Sequence, residues 1–145
     1  MFNLRWRNLA TCLVTGALLV SCQSTAVVPL TTVPSRTIAH AKGKSKIPIS
    51  LQRVVVLDTA PLDGALALGI KPVGTMVYGD LPKYLGDKVN NIEIVGDNNE
   101  PNLETVLKLK PDLILGTKIS VGKIYRQLSQ IAPTVLTAGS GRAGE

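Results

Sequence analysis

Four polar side chains of this sequence are placed where they could bind a ligand non-covalently. They offer a hydroxyl, an aromatic face, a carboxylate and a cation, and a glycine lies within two residues of three of them, where the backbone can be approached closely. The four residues are Thr59, Tyr78, Asp97 and Lys118. The predicted chemistry is reversible ligand binding. The alternative is that each residue belongs only to a tight turn between a strand and a helix.

No group of residues indicates catalysis. His40 is the only histidine and lies on a predicted hairpin, far along the chain from any nucleophile, so we expect it to have a structural role. No serine, histidine and aspartate combine into a catalytic set around it. A bare transition-metal site usually needs several histidines or thiols. We therefore expect no enzyme activity, no resident cofactor and no protein-bound metal.

One motif points to a different class of protein. Residues 139–144 fit the spacing G-x-G-x-x-G directly after a predicted strand. Such a loop binds a dinucleotide only where a helix and a later acidic residue follow it, and neither follows here. A secreted α/β enzyme that binds a nucleotide is therefore kept as an alternative from another class.

Cys22 is a candidate for covalent attachment of lipid. It follows Ser21 at the end of an apolar stretch, residues 9–20, that lies behind two arginines. This stretch has 12 residues, too few to cross a bilayer that needs about 20. We predict a signal peptide over residues 1–21, acylation of Cys22, and anchoring in the cell envelope facing the periplasm or the cell exterior. The alternatives are an ordinary cleaved signal peptide and a single anchoring helix.

The net charge narrows the choice of partner. The sequence carries +6, which falls to +4 when the two arginines of the predicted signal are removed. A mild positive charge suits an anionic ligand or an anionic membrane surface. Nucleic acid is not an expected partner, because no basic stripe alternates with aromatic residues. No disulfide is expected, because one of the two cysteines lies in the signal and the other is acylated.

Short β-branched runs recur from residue 54 onward, with helical patterns between them. Their starts are 19, 19, 21 and 21 residues apart. Near-continuous apolar runs indicate strands buried on both faces, so we predict an α/β fold with a mostly parallel sheet and helices on both faces. The runs cover residues 54–57, 73–77, 92–95, 113–115 and 134–136. Ligands bind at the carboxyl ends of such strands, where the four polar residues meet.

Three helices are predicted between these strands. The first has Pro61 in its first turn, and the second is capped by Asn102 and packs Val106 and Leu107 against the core. The third is capped by Ser120. A β-hairpin over residues 37–49, with its turn at residues 42–44, precedes the sheet and follows a flexible tether over residues 22–36.

Five segments in this order resemble the N-terminal lobe of ABC-transporter substrate-binding proteins for ferric siderophores and vitamin B12. The cyanobacterial and Gram-positive lipoprotein forms are the most similar, and the resemblance covers residues 37–138. The segments are RVVVLD at residues 53–58, ALGIKPVG at 67–74, PNLE at 101–104, LKPDLILG at 109–116 and QIAPTV at 130–135.

The resemblance implies two α/β lobes joined by a long helix, with the ligand in the cleft between them. Residues 37–145 would form the N-terminal lobe of this periplasmic-binding fold, truncated where the linking helix should begin. The strand-end residues would line this lobe's half of the cleft and contact a ferric siderophore. Glu104 would dock the lobe on the arginines of an ABC permease, which works with its ATPase. Glu104 also has a structural role available, because a carboxylate in the first turn of a helix is favoured by the helix dipole.

Two further interpretations remain open. A cobalamin or haem receptor of the same fold would prefer a large aromatic platform, and this lobe has no tryptophan after the predicted signal. A remnant without function is the other. The sequence does not identify the chelate or the permease, and it does not distinguish the inner from the outer membrane.

Overall fold

The computed structural model describes residues 33–97 and 100–139. The predicted signal peptide, Cys22 and most of the predicted tether lie outside the described residues, as do Asn98, Asn99 and residues 140–145, which include all of the glycine-rich motif except Gly139. Among the described residues, no helix has the length and apolar character to cross a membrane.

The chain begins with the predicted β-hairpin. Strand β1, Ser35–His40, pairs antiparallel with β2, Gly43–Pro48. His40 pairs with Gly43, so the turn is the two-residue link Ala41–Lys42 and not residues 42–44 as predicted. Strand β1 also starts at Ser35, inside the segment predicted as a tether, because its backbone finds partners in β2.

A six-stranded sheet follows, and all five predicted strands are confirmed. Its order is β6-β5-β4-β3-β7-β8, and every neighbouring pair is parallel except β5 and β6. Strand β6 was not predicted, because two residues carry no periodicity. The strands are β3 (Val54–Val56), β4 (Gly74–Val77), β5 (Glu93–Asp97), β6 (Glu100–Pro101), β7 (Leu113–Thr117) and β8 (Thr134–Thr137).

Four α-helices and two 3₁₀ segments connect the strands. The α-helices are α1 (Thr59–Ala67), α2 (Leu103–Lys108), α3 (Lys118–Val121) and α4 (Tyr125–Ile131), and the 3₁₀ segments are Lys83–Val89 and Gly122–Ile124. The first 3₁₀ segment is tied to α1 because Tyr84 donates a 2.7 Å hydrogen bond to Asp63, which raises the pKa of the Tyr84 phenol.

Helices cover both faces of the sheet, as predicted. Successive residues from Val54 to Leu57, the residue after β3, point to opposite faces of the sheet. Val54 and Val56 pack with α1 and the hairpin. Val55 and Leu57 pack with α2, α3 and α4. All four side chains are buried. A strand buried in this way explains why its sequence is continuously apolar and does not alternate.

Side-chain caps mark the starts of α2 and α3, and one of them corrects a prediction. The Asn102 side chain accepts a hydrogen bond from the Thr105 amide at 3.0 Å, which confirms the predicted cap of α2. For α3 the cap is Thr117 and not Ser120, because the helix begins at Lys118 and the Thr117 hydroxyl accepts from the Ser120 amide. The predicted core stripe of α2 is also wrong at Leu107, which is exposed.

The hairpin closes the outer edge of β8. The Ala41 amide donates to the Leu136 carbonyl at 2.9 Å, and the Ser45 hydroxyl donates to the Thr134 carbonyl at 2.8 Å. These bonds satisfy carbonyls that an edge strand would otherwise leave open. The hairpin tip therefore lies beside the carboxyl end of β8.

His40 supports the contact between the hairpin and β8 in its neutral form. Its Nδ1 accepts from the Lys42 amide at 3.3 Å, and its Nε2 lies 3.0 Å from the Ser45 hydroxyl. Because the Ser45 hydroxyl donates to the Thr134 carbonyl, Nε2 is the donor to Ser45, and because Nδ1 accepts from the Lys42 amide, the ring is neutral. The ring also packs against Tyr125, with centroids 5.6 Å apart. Burial lowers the pKa of His40 below its ordinary value of 6.5.

The stability of the fold should therefore depend on pH through His40. Because the folded-state pKa is the lower one, the unfolded chain takes up the proton first as the pH falls. The contribution of His40 is complete above its ordinary pKa of 6.5 and is lost as the pH falls from there through the folded-state pKa. Urea unfolding at about pH 7.5 and about pH 5.5 should show a smaller loss of stability in His40→Asn than in the parent chain. An equal loss in both proteins would contradict this assignment.

Candidate ligand-binding site

The order of the strands places one loop pair at the centre of the sheet's carboxyl edge. From β3 the chain passes to β4 and β5 on one side and returns to β7 on the other side of β3. The crevice of an α/β sheet opens at such a reversal, between the loops that leave the two flanking strands. Here these are the connections after β3 and β7: Leu57 and Asp58 link β3 to α1, and β7 passes directly into α3 at Lys118.

A hydrogen-bonded network joins three loops at this point. The Thr117 hydroxyl donates to Asp58 Oδ2 at 2.6 Å, and the Ser120 hydroxyl donates to the same carboxylate oxygen. The Tyr78 hydroxyl, from the loop after β4, donates to Ser120 Oγ at 2.7 Å. Each hydroxyl gives its one proton to one acceptor, so the three donors and the carboxylate are mutually consistent. We call Asp58, Tyr78, Thr117 and Ser120 the Asp58 network.

The Asp58 network fixes the Tyr78 side chain at the edge of the crevice. Tyr78 is 40% exposed, while its hydroxyl donates to Ser120. Contact of its ring or its hydroxyl with a ligand stays a prediction.

Asp97 has a positioning role within the loops. Its Oδ1 accepts a hydrogen bond from the Gly79 amide at 3.1 Å, which joins the ends of β4 and β5. Gly79 has a φ of +74°, a conformation that a glycine adopts readily, so the turn after Tyr78 depends on this residue type. The carboxylate of Asp97 therefore helps to hold Tyr78 in place, and a direct contact with a ligand stays a prediction.

The other two predicted residues lie on the helices that begin at this edge. Lys118 is the first residue of α3 and is exposed, and Thr59 is the first residue of α1 and is half-buried. Ile119 was not predicted, yet 74% of its side chain is exposed beside Lys118. The edge therefore presents a cation, an aromatic ring and an aliphatic side chain around a fixed polar network.

Sequence reasoning missed the residues that hold the site together. Asp58, Thr117 and Ser120 are separated from their partners by up to 62 positions, and no local pattern links them. The available signal was positional: Asp58 directly follows the first apolar run and Thr117 comes two residues after the fourth, at neighbouring strands of the same sheet. In the described part of the chain, no cluster of three or more histidine, cysteine, aspartate or glutamate side chains could hold a metal ion.

A separate apolar groove lies away from this network. It has a volume of about 230 Å³ and is bordered by α1 and strands β3, β7 and β8, with Leu68, Ile70 and Val135 among its lining residues. The lining contains no charged side chain. A charged ligand is better served by the carboxyl edge, where Lys118 is exposed.

Glu104, predicted to meet a partner protein, lies on α2. It is paired with Lys108 at 2.9 Å, one helical turn on, and both side chains are more than 70% exposed. A surface pair of this kind contributes little stability. Glu104 is therefore exposed to solvent, and a cation that binds its carboxylate more strongly could displace Lys108.

The Asp58 network should contribute to stability. In Asp58→Ala, the Thr117 and Ser120 hydroxyls lose their acceptor, and we expect the free energy of unfolding to fall by about 1–3 kcal/mol. Asp80→Ala is the matched control, because Asp80 is exposed in the loop after β4, and it should change stability by less than about 0.5 kcal/mol. Urea denaturation of both variants measures the difference. Equal effects would show that the network is not a structural element.

The sequence and the structure can be compared with known proteins. Residues 54–142 match the sequence profile of the family described as periplasmic binding protein, and this stretch covers more than half of the chain. The chain is 44% identical over 119 residues to a probable siderophore-binding lipoprotein of Bacillus subtilis, YfiY, covering 79% of this chain and 37% of that protein. It is 41% identical over 103 residues to the Fe(3+)-citrate-binding protein YfmC of the same species, covering 70% of this chain and 33% of that protein.

Solved structures give the same result. Staphylococcus aureus SirA complexed with staphyloferrin B superposes with a TM-score of 0.68 and 41% identity, over 72% of this chain and 37% of that one. The catecholate-siderophore binding protein VctP of Vibrio cholerae superposes with a TM-score of 0.65 and 36% identity, over 71% of this chain and 37% of that one. The chain thus spans about a third of the length of these curated relatives and solved structures.

Proposed function

This chain belongs to the periplasmic binding protein family, and from that premise we propose that it is the ferric-siderophore-binding part of an ABC importer. The observation that carries the proposal is the exposed pair Lys118 and Ile119 at the carboxyl edge of the sheet, on the same short helix as Ser120, which holds the hydroxyl of the partly exposed Tyr78. The protein binds and delivers its ligand and does not transform it. The printed names of the relatives, one siderophore-binding and one Fe(3+)-citrate-binding, support a ferric chelate as the ligand.

The chemistry of the edge suits such a ligand. Ferric chelates of the carboxylate and catecholate classes are anionic and carry flat or aliphatic surfaces around the metal. Lys118 supplies a positive charge, while the Tyr78 ring and Ile119 supply apolar contact. Because the chelator already saturates the iron, the protein needs no metal ligands of its own. This lobe forms one wall, and a second lobe of the longer relatives' kind would form the other.

A receptor for cobalamin is the second candidate. The vitamin B12-binding protein of Salmonella paratyphi A is 37% identical over 79 residues, which is 54% of this chain and 27% of that protein. Tyr78 is the exposed ring at the edge that could meet a corrin. Cobalamin has no need for Lys118, so a binding test that includes both ligands separates the two candidates.

Binding of ferric chelates by the full chain tests the proposal. Isothermal titration with ferric carboxylate, catecholate and hydroxamate chelates and with cobalamin should show binding of at least one anionic ferric chelate. Lys118→Gln should weaken that binding by about 3-fold or more, because it removes a partly exposed charge contact. Lys71→Gln is the matched control: it removes the same charge from an exposed position before β4, at the opposite edge of the sheet, and should change nothing. Absence of binding to every ferric chelate would reject the proposal.

The proposed location is the outer side of a membrane. YfiY is named a lipoprotein, and the family name is that of periplasmic binding proteins, which supports an outward-facing protein in the cell envelope. We propose further that Cys22 carries the lipid anchor, because it follows a small residue at the end of a short apolar stretch.

Docking on a permease is proposed for the exposed face of α2. Glu104 holds Lys108 through a pair that water screens, so an arginine approaching in a fork geometry can replace it. The exchange costs little on the side of this lobe because both partners are already at the surface.

Glu104→Gln should therefore reduce uptake without affecting the fold. In cells that carry the matching permease and ATPase, uptake of the radiolabelled ferric chelate should fall at least about tenfold, since one partner of a charge pair is lost at the docked interface. Chelate affinity and unfolding free energy should stay unchanged. Glu93→Gln, an exposed carboxylate at the start of β5, is the control and should transport normally. Normal uptake by Glu104→Gln would reject the docking role.

A further inference from the structure

A second lysine, from the hairpin, lies beside Lys118. Both lysines pass over Gly122, which is buried beneath them. A Cβ added at Gly122 would lie 3.3 Å from Cγ of Lys118 and 3.5 Å from Cε of Lys42. Lys42 and Lys118 are both exposed, and neither forms a salt bridge with another residue in 33–97 or 100–139. Two lysine side chains from distant parts of the chain therefore lie over the same glycine at one end of the sheet.

The position of Lys42 is set by the docking of the hairpin on β8. The amide of Lys42 donates to His40 Nδ1, and the preceding residue, Ala41, bonds the Leu136 carbonyl near the end of β8. The Ser45 hydroxyl holds the second arm to Thr134. These contacts aim the hairpin tip at the carboxyl edge, where Lys118 begins α3.

Folding alone gives no reason to bring these charges together. Like charges that share a site raise the free energy of the fold, and no described carboxylate is paired with either lysine. Asp58 is the acidic residue of the adjoining network, and its carboxylate accepts from Thr117 and Ser120. An anion bound by both lysines would remove the repulsion and gain two charge-assisted hydrogen bonds.

We propose that Lys42 and Lys118 form one subsite for the carboxylate groups of an anionic ferric chelate. The hairpin then acts as a third side of the crevice and takes part in choosing the ligand, in favour of carboxylate chelates and against neutral ones. This inference rests on the proposed function, and it adds a binding residue that lies outside the strand-end loops.

The test compares two lysines of the same hairpin. Lys42→Gln removes the charge beside Gly122, whereas Lys44→Gln removes a charge from an exposed position of β2 that pairs with Ala39. Lys42→Arg keeps the charge. The full chain and each variant are titrated with ferric citrate and with a neutral ferric trihydroxamate at low and at physiological salt. Iron-free citrate is titrated separately, with the Gly122 amide observed by NMR.

The subsite predicts that Lys42→Gln weakens ferric citrate binding by about 5-fold at low salt, and less at physiological salt, where exposed charges are screened. Neutral chelate binding should not change, and Lys44→Gln and Lys42→Arg should stay within about twofold of the parent chain. If Lys42→Gln has no larger effect than Lys44→Gln, the subsite is wrong while the proposed function stands.

The iron-free titration separates the two ideas when no ferric chelate binds. In that case the missing chelate binding rejects the proposed function, whereas a shift of the Gly122 amide with citrate that is lost in Lys42→Gln would still support an anion subsite at the two lysines. An amide that does not respond to citrate in the parent chain would reject the subsite itself.

Discussion

The central strand β3 is buried on both faces, and the rest of the lobe is arranged to cover it. Its side chains alternate between a layer with α1 and the hairpin and a layer with α2, α3 and α4. A charged group in either layer would be unfavourable, because burying an unpaired charge away from water costs several kcal/mol. In β3 to β8 the charged residues therefore lie at the ends of the strands. A strand order that reverses beside β3 then collects them at one place on the carboxyl edge.

The same hydrogen bonds serve the fold and the site. Asp58 accepts hydrogen bonds from the hydroxyls of Thr117, at the end of β7, and Ser120, on α3, and through Ser120 it also fixes the tyrosine that follows β4. The two strands that flank β3 are thus tied to it at the edge where a ligand would enter. A ring held in advance loses little conformational entropy on binding, which favours affinity. The exposed lysines keep their freedom and can adapt to chelates of different shape.

The sequence predicted the layers of the fold but not the contacts that hold the site. Five strands were found from apolar runs because burial on both faces produces a local signal. The cap of α3 was harder to predict, since both Thr117 and Ser120 are residues that can cap a helix. Thr117 is the cap because β7 extends two residues beyond its apolar run. Strand β6 has two residues and pairs only with β5, so no periodicity marks it. The Asp58 network depends on tertiary contacts between loops about 60 positions apart, for which one sequence contains no pattern.

The hairpin shows why a position in the fold can matter more than the type of residue. Lys42, Lys44 and Lys46 are alike in the sequence, and a count of charges treats them equally. The backbone bond from Ala41 to Leu136 carries only the first of them to Gly122, while Lys44 and Lys46 pair across the hairpin with Ala39 and Thr37. Because Ala41 and Lys42 at the hairpin tip are exposed, whereas Ile47 of the hairpin packs in the layer with β3, a substitution at the tip would alter the proposed subsite without disturbing that layer. Ligand choice and stability are therefore separable in this lobe if the positive charge that contacts the ligand comes from the hairpin tip and not from the Asp58 network.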